Sequence, residues 1–281
     1  MKRSFLILYL LSAIFGTNAQ TIDVISYNIR YDNPNDKPNH WENRKDFLIS
    51  QLNFYAPDVF GTQEGLVHQL RAIDEGMDNY TYFGVGRDHG DDKGEFTAIF
   101  YNTDKLKVLK ESTFWLSETP GVPSKGWDAA LPRICTYGLF ENKEDGSKFM
   151  VFNTHFDHVG EKAREESSKL ILKKVKELNT DGYPVVVTGD FNLESESGGV
   201  QAILTEMEDA HIAAGKNAFG PDGTFNGFDI TKPVERRIDY IFVSPDRVEV
   251  LKSAILSDSK DCRYPSDHLP VFARLRLKTY E

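Results

Sequence analysis

Residues 184–192, PVVVTGDFN, constrain the chain more than any other stretch. Val185, Val186 and Val187 lead through Thr188 into Gly189 without polar alternation, the pattern of a strand covered on both faces. Gly189 lacks a Cβ and permits a sharp exit from that strand. Asp190 and Asn192 then stand where a buried strand opens onto the surface. Oxygen ligands on a rigid strand end suit a hard divalent cation. The remainder of the chain is expected to supply partners for this Asp-x-Asn pair.

The flanking sequence alternates strand and helix signals. Strands are expected at Ile22 to Ile29, Val59 to Thr62, Phe96 to Tyr101, Arg237 to Val243, Val248 to Ile255 and Leu269 to Leu277, with one or two more over Leu106 to Leu116. Arg133 to Phe140 and Phe149 to Thr154 read as a hairpin around Glu144-Asp145-Gly146. Helices are expected from Trp41 to Leu52, Leu66 to Ile73, Glu161 to Asn179 and, more briefly, Val200 to Met207. The third is the clearest, since its acidic residues lie early and its lysines late, as the helix dipole favours. Gly84 to Gly94 and Thr119 to Pro132 are loops, and long loops in compact domains are often functional. With no repeat or linker, the pattern favours one α/β domain over residues 20–281, with two packed sheets and outer helices.

Residues 1–19 read as a secretory leader: Lys2 and Arg3, an apolar run from Phe5 to Phe15, then Thr17-Asn18-Ala19, with cleavage after Ala19. That run is too short to span a bilayer, so stable membrane insertion is not expected and the protein is placed outside the cytoplasm, secreted or periplasmic. Removing Lys2 and Arg3 leaves 31 basic against 43 acidic side chains, a formal charge of −12. Such a charge is poorly suited to tracking long nucleic acid through its phosphates. Cys135 and Cys262 are compatible with one disulfide or with two unpaired core residues. With no Cys-x-x-Cys and no His-x-x-x-His, zinc is not expected.

Seven polar residues punctuate the apolar runs at or near their ends: Asn28, Glu64, His155, Asp190, Asn192, Asp239 and His268, with Asp267 beside the last. Any one alone would ordinarily be a turn residue or a helix cap. Seven together, of types suited to one site, are harder to explain that way. The motifs around them occur in order as SYNIR (26–30), TQE (62–64), NTHFD (153–157), TGDFN (188–192), RRIDYIFV (236–243) and SDHLPV (266–271).

In these motifs the chain resembles the endonuclease/exonuclease/phosphatase superfamily, which includes pancreatic-type deoxyribonucleases, apurinic endonucleases, Ccr4-type deadenylases, inositol-polyphosphate 5-phosphatases and bacterial neutral sphingomyelinases. The resemblance covers nearly all of the chain after the leader. Trp41-x-x-Arg44-Lys45 and Pro57-Asp58 are similar to the Ccr4-type branch. The resemblance implies a DNase I-like, four-layer α/β sandwich: two mixed β-sheets face to face, helices outside, and the site at one end.

It also implies a metal-dependent phosphoric ester hydrolase using Mg²⁺, with Mn²⁺ as a substitute. Glu64 is the leading Mg²⁺ ligand, because Mg²⁺ takes one or two carboxylates and keeps several waters. Asn28 and Asp267 join it in the metal set, Asp267 alternatively supporting His268. Asp190 is assigned to positioning or deprotonating the attacking water, with His268 as the other candidate base. Asp239 would fix the His268 tautomer. His155 would donate to the phosphoryl group or the leaving oxygen. Arg133 resembles the family's arginine near the scissile phosphate, Asn192 would hold that phosphate or the water, and Arg164 would reach a second phosphate. One of Arg236 and Arg237 is expected to pair with a site carboxylate. The substrate is a phosphodiester or phosphomonoester, small molecule or nucleic acid. A true nuclease and a non-catalytic binding protein on the same scaffold are the competing readings.

Overall fold

A computed structural model describes residues 21–278. Along the chain the strands and helices are β1 (Thr21–Asn28), α1 (Trp41–Tyr55), β2 (Val59–Gln63), α2 (Val67–Gly76), β3 (Tyr80–Phe83), β4 (Ile99–Asn102), β5 (Leu106–Trp115), β6 (Ile134–Asn142), β7 (Lys148–His155), α3 (Glu161–Leu178), β8 (Val185–Asp190), α4 (Gly198–Leu204), β9 (Glu208–Asp209), α5 (Ala210–Ala213), β10 (Ala218–Phe219), β11 (Asp239–Val243), β12 (Val248–Ile255) and β13 (Val271–Leu277). They form a seven-stranded sheet, β10-β12-β13-β1-β2-β4-β3, and a six-stranded sheet, β5-β6-β7-β8-β11-β9. Both are mixed, because β1–β2 and β7–β8 run parallel while their outer neighbours are antiparallel. The four-layer DNase I-like sandwich implied by the sequence is the architecture found.

Side-chain alternation builds the layers. Val186 joins Val24, Val59, Val151, Ile241 and Ala273 between the two sheets. Val185 and Val187 point the other way, packing with Phe152 and Phe242 against Ile171 and Leu172 of α3 and Val200 and Ile203 of α4. On the opposite side Ile25, Tyr27, Phe60 and Phe100 cover Trp41, Leu48 and Leu52 of α1 and Leu70 and Ile73 of α2. Each fully buried side chain of this kind contributes about 1.5–3 kcal/mol. Asn153 couples the sheets below the site. Its Nδ2 donates to the carbonyls of Thr62 (2.8 Å) and Ala98 (2.9 Å), and its Oδ1 accepts from Gln63 Nε2 (2.7 Å) and Thr188 Oγ1 (3.0 Å). Gly61 lets Asn153 come this close, since a Cβ there would collide with its amide.

Several expectations need correction. The strand expected at Phe96 begins at Ile99, because Phe96 forms single bridges to Gly65 and Gly86 that close a loop. Arg237 and Ile238 precede β11: the N–H groups of Ile238 and Asp239 go to Thr224 Oγ1 instead of a strand partner. Likewise β13 starts at Val271, with Leu269 bonded to the Thr224 carbonyl. α4 starts two residues early, where Ser197 Oγ accepts from Val200 N. The edge strand β3, the two-residue strands β9 and β10, and α5 carried no periodic signal long enough to read. Cys135 is buried and Cys262 exposed, both free, so neither a disulfide nor a pair of core cysteines is present. The expected leader lies outside the described residues. Among the described residues no helix is long and apolar enough to cross a membrane.

Candidate active site

Strand register brings the polar residues together. In the six-stranded sheet Asp190 sits between His155 on β7 and Asp239 on β11, as direct cross-strand neighbours on both sides. In the facing sheet β1 ends at Asn28 beside the end of β2, and Glu64 follows. Three non-glycine residues at these exits adopt positive φ: Arg30 (55°), Glu64 (65°) and Asn192 (49°). Backbone strain of this sort clusters where side chains must be aimed.

Asn28 bridges the two sheets. Its Nδ2 donates to Glu64 Oε1 (3.0 Å) and Asp190 Oδ2 (2.9 Å), and its Oδ1 accepts from Arg30 N (3.0 Å). Tyr31 N donates to the other Glu64 oxygen at 3.1 Å. Asp190 Oδ1 accepts from Asn192 N at 2.9 Å. Burial, together with the neighbouring Asp239, pushes the Asp190 carboxyl up to about 7, against the pull of His268 and two hydrogen bonds. A carboxylate so placed is a base poised near neutral pH.

The two histidines have opposite characters. His268 Nδ1 lies 2.8 Å from Asp239 Oδ2, and its Nε2 faces Asp190 Oδ2 at 3.8 Å. Against the cost of burial, Asp239 and Asp190 raise His268 well above the ordinary histidine range, so it is an imidazolium with a hydrogen on each nitrogen. His155 is driven far down by burial and by Arg133 and Arg87, so it is neutral. Arg133 Nη1 lies 3.2 Å from His155 Nδ1. A guanidinium only donates, so Nδ1 accepts and the hydrogen sits on Nε2, 3.5 Å from Asp190 Oδ2. Asn192 Nδ2 donates to the Phe156 carbonyl at 3.1 Å and lies within hydrogen-bond distance of the same ring nitrogen, at 3.2 Å. Arg133 is itself held by Asp157, 3.3 Å from its Nε. Against burial, the backbone N–H groups of Gly160, Ala130 and Val159 keep Asp157 well below the usual carboxylate range.

Glu64, Arg133, His155, Asp190, Asn192 and His268 line a cleft of about 630 Å³ that also contains Tyr31, Glu95, Phe225, Phe228 and Arg236. A larger hollow of about 940 Å³ lies where β1 begins, but its Asp23 pairs with Arg274 and its Asp58 with Lys105. With those charges satisfied by each other, the smaller cleft is the one equipped for chemistry.

The donor set fits a hard cation. Ligand atoms of Glu64, His155 and Asp190 lie within 4.8 Å of one another, as do those of Asp190, Asp239 and His268. The second group is already neutralised by the imidazolium, and in the first His155 has no nitrogen lone pair free, so the carboxylates, Glu64 foremost, are the groups that would hold the ion. Glu64 and Asp267 also share one cation, Arg30, whose Nη1 and Nε lie 3.8 Å and 3.7 Å from them. Carboxylate oxygens needing positive charge, with no thiolate nearby, match Mg²⁺ or Mn²⁺. One buried carboxylate oxygen, Asp239 Oδ1, has no hydrogen-bond partner.

Of the expected site residues, Asn28, Glu64, Arg133, His155, Asp190, Asn192, Asp239, Asp267 and His268 converge. Asp267 lies on the Arg30 and Glu64 side and makes no hydrogen bond to the His268 ring. Arg164 does not reach the cleft: its Nη1 donates to the Asp157 carbonyl at 3.2 Å, turned away by the start of α3. Neither Arg236 nor Arg237 pairs with a site carboxylate. Arg236 lines the cleft but meets Glu194, and Arg237 meets Asp209; both lie ahead of β11, where regular strand alternation has not begun. Arg30, Asp36, Arg87 and Glu95 were overlooked. Arg30 lies inside SYNIR and could have been found there; Glu95 leaves a glycine-rich loop and carries no local signal.

Residues 25–268 match the sequence profile of the Endonuclease/Exonuclease/phosphatase family. A crystal structure of a family protein from Bacteroides thetaiotaomicron is 41% identical, covers 92% of this chain and 99% of its own, and superposes with a TM-score of 0.88. The mannosyl-6-phosphatase of the same bacterium is 42% identical, covers 90% and 99%, and gives 0.85. Among curated sequences, a protein of Acanthamoeba polyphaga mimivirus is 32% identical over 163 residues, 56% of this chain and 60% of that protein. The CCR4-Not complex 3'-5'-exoribonuclease subunit Ccr4 of Candida albicans is 27% identical over 299 residues, 85% of this chain and 38% of that protein. This chain therefore spans less than two thirds of both curated relatives. It belongs to the endonuclease/exonuclease/phosphatase family, whose members are metal-dependent hydrolases of phosphate esters.

Proposed function

We propose that the protein is an exported, Mg²⁺-dependent phosphomonoesterase that hydrolyses a sugar phosphate. The observation that carries the reaction is the placement of Asp190, poised near neutrality, between neutral His155 and cationic His268. Glu64 would hold the metal, with Asn28 and Asp267 completing its surroundings. When bound, Mg²⁺ supplies positive charge to the phosphoryl oxygens and to the leaving oxygen as its bond breaks. Asp190, fixed by Asn28 and the Asn192 N–H, orients the water and accepts its proton. His268 presents Nε2–H to a phosphoryl oxygen, while Asp239 keeps it charged. His155 presents Nε2–H to the phosphoryl or leaving oxygen. Arg133 holds that tautomer and adds positive charge, and Asn192 positions the phosphate.

Two observations favour a monoester. Asp36, Glu64, Glu95, Asp190 and Asp267 share the cleft with Arg30, Arg133 and Arg236, and the formal charge of −12 beyond residue 19 makes the protein as a whole unwelcoming to a polyanion. A relative 42% identical is described as a mannosyl-6-phosphatase. The likeness to Ccr4 keeps a nuclease as the second reading.

The test is turnover of mannose 6-phosphate, other sugar phosphates, inositol phosphates, sphingomyelin and oligonucleotides, with Mg²⁺ or with a chelator. Metal-dependent phosphate release from sugar phosphates is expected. Turnover confined to oligonucleotides, falling steeply with salt, would establish the nuclease instead. Export is tested by mass spectrometry of protein from the culture medium or periplasm, where the chain is expected to start at Gln20.

A further inference from the structure

Residues 84–96 form a loop built to present one ion pair. Its arms are joined by Gly86 N to Asp91 O (2.6 Å), Arg87 N to Glu95 O (3.1 Å) and Asp88 N to Lys93 O (3.3 Å). A side chain at position 86 would strike the Lys93 backbone, and one at Gly94 (φ 85°) would come within 2.6 Å of the Asp88 carboxyl carbon. Trp115 Nε1 ties the loop to β5 through the Arg87 carbonyl at 2.7 Å. Arg87 grips Glu95 with both guanidinium ends, Nη1 to Oε2 (2.6 Å) and Nη2 to Oε1 (2.7 Å).

A largely buried ion pair adds little to stability over well-packed apolar residues, so stability alone does not explain this pair. Its position suggests another purpose. Glu95 lines the catalytic cleft, and its Oε2 lies 3.8 Å from His155 Nδ1. That nitrogen is occupied by Arg133, so Glu95 does not orient the histidine. Each Glu95 oxygen takes one hydrogen from Arg87 and keeps further acceptor capacity. A carboxylate fixed in this way accepts hydrogen bonds from neighbouring hydroxyls and repels a second phosphate.

We propose that the Arg87–Glu95 pair reads the hydroxyl groups of the esterified sugar, making Glu95 a specificity-determining residue that favours an uncharged, hydroxyl-rich leaving group. The assignment rests on the phosphomonoesterase reading. Two variants test it. Glu95→Gln keeps the shape of the side chain, and the double variant Arg87→Met with Glu95→Leu removes the buried charges together, so that folding is preserved. The readout is kcat/KM for mannose 6-phosphate divided by that for p-nitrophenyl phosphate, which has no hydroxyls. Losing hydrogen bonds to a charged acceptor should lower this ratio by about 10- to 100-fold in both variants, mainly through KM. A proportional loss on both substrates, or an unchanged ratio, overturns the assignment. Calorimetric binding of mannose 6-phosphate against inorganic phosphate provides a readout independent of turnover: the affinity ratio should fall similarly in the variants, and an unaltered ratio also overturns it. Wild-type protein that hydrolyses neither monoester sinks the phosphatase reading separately, while the binding comparison still decides the role of Glu95.

Discussion

Replacing Asp239 by Asn isolates the charge that keeps His268 an imidazolium. The Asp239 Oδ2 to His268 Nδ1 contact is 2.8 Å and buried, and an asparagine oxygen can still accept from that nitrogen. What changes is the charge. A hydrogen bond to an ionised partner is worth about 1.5–3 kcal/mol net, against about 1 kcal/mol for a neutral one. At about 1.4 kcal/mol per tenfold in rate, losing that difference of about 0.5–2 kcal/mol should lower kcat roughly 2- to 30-fold, with KM changed by less than about threefold. The pH profile carries the more specific signature. Without Asp239, His268 moves down toward its ordinary value of 6.5, so an alkaline limb appears near neutral pH. Asp190 loses the neighbour that raises it, so the acid limb moves to lower pH. Both limbs therefore shift in the same direction, which general damage to the fold would not produce. Asp239 Oδ1 lacks a partner, so an amide group there leaves a buried donor unsatisfied at a cost of about 1–3 kcal/mol, visible as a lower Tm. Initial-rate kinetics from acid to alkaline pH on a phosphomonoester decide the matter. An unchanged kcat, or a reduced kcat with both limbs unmoved, refutes the assigned role.

Three further outcomes follow from the same geometry. Asp190 and His268 both hold protons more tightly in the folded state than when unfolded, the first to about pH 7, so metal-free protein should lose stability as pH rises from 6.5 to about 8. The contribution of neutral His155, lost only as pH falls below 6.5, is complete in that window, and Mg²⁺ should restore Tm most at the alkaline end. Differential scanning fluorimetry with and without Mg²⁺ checks this; a Tm rising across the window contradicts it. Arg133→Lys keeps the charge but loses the fork that reaches His155, Asp157 and His158, so kcat/KM should fall roughly 10- to 100-fold at little cost in KM for Mg²⁺. Gly61→Ala places a methyl group against Asn153 and Thr188 between the sheets, and denaturant melts should show a loss of about 1–3 kcal/mol.

The sequence by itself determined the layered sandwich and most of the site. Valines 185–187 could only be a strand covered on both faces, and polar residues ending such strands had to gather at one rim. Motifs that are local in the chain, such as TGDFN and SDHLPV, therefore marked residues that the fold brings together. The sequence did not determine what depended on direction at a strand entrance or on distant partners. Arg236 and Arg237 pair with Glu194 and Asp209 instead of a site carboxylate, because regular pairing begins only at Asp239. Arg164 is spent on the Asp157 carbonyl. Glu95 reaches the cleft through a loop whose geometry rests on Gly86, Gly94 and Trp115, none of which marks it in the sequence. The division between a charged and a neutral histidine was equally invisible. It arises from which side chain each ring meets after folding, Asp239 for His268 and Arg133 for His155: burial disfavours the charged form of both rings, and only His268 meets carboxylates that overcome it. Periodicity fixes which face a residue takes, but only tertiary structure decides what it faces.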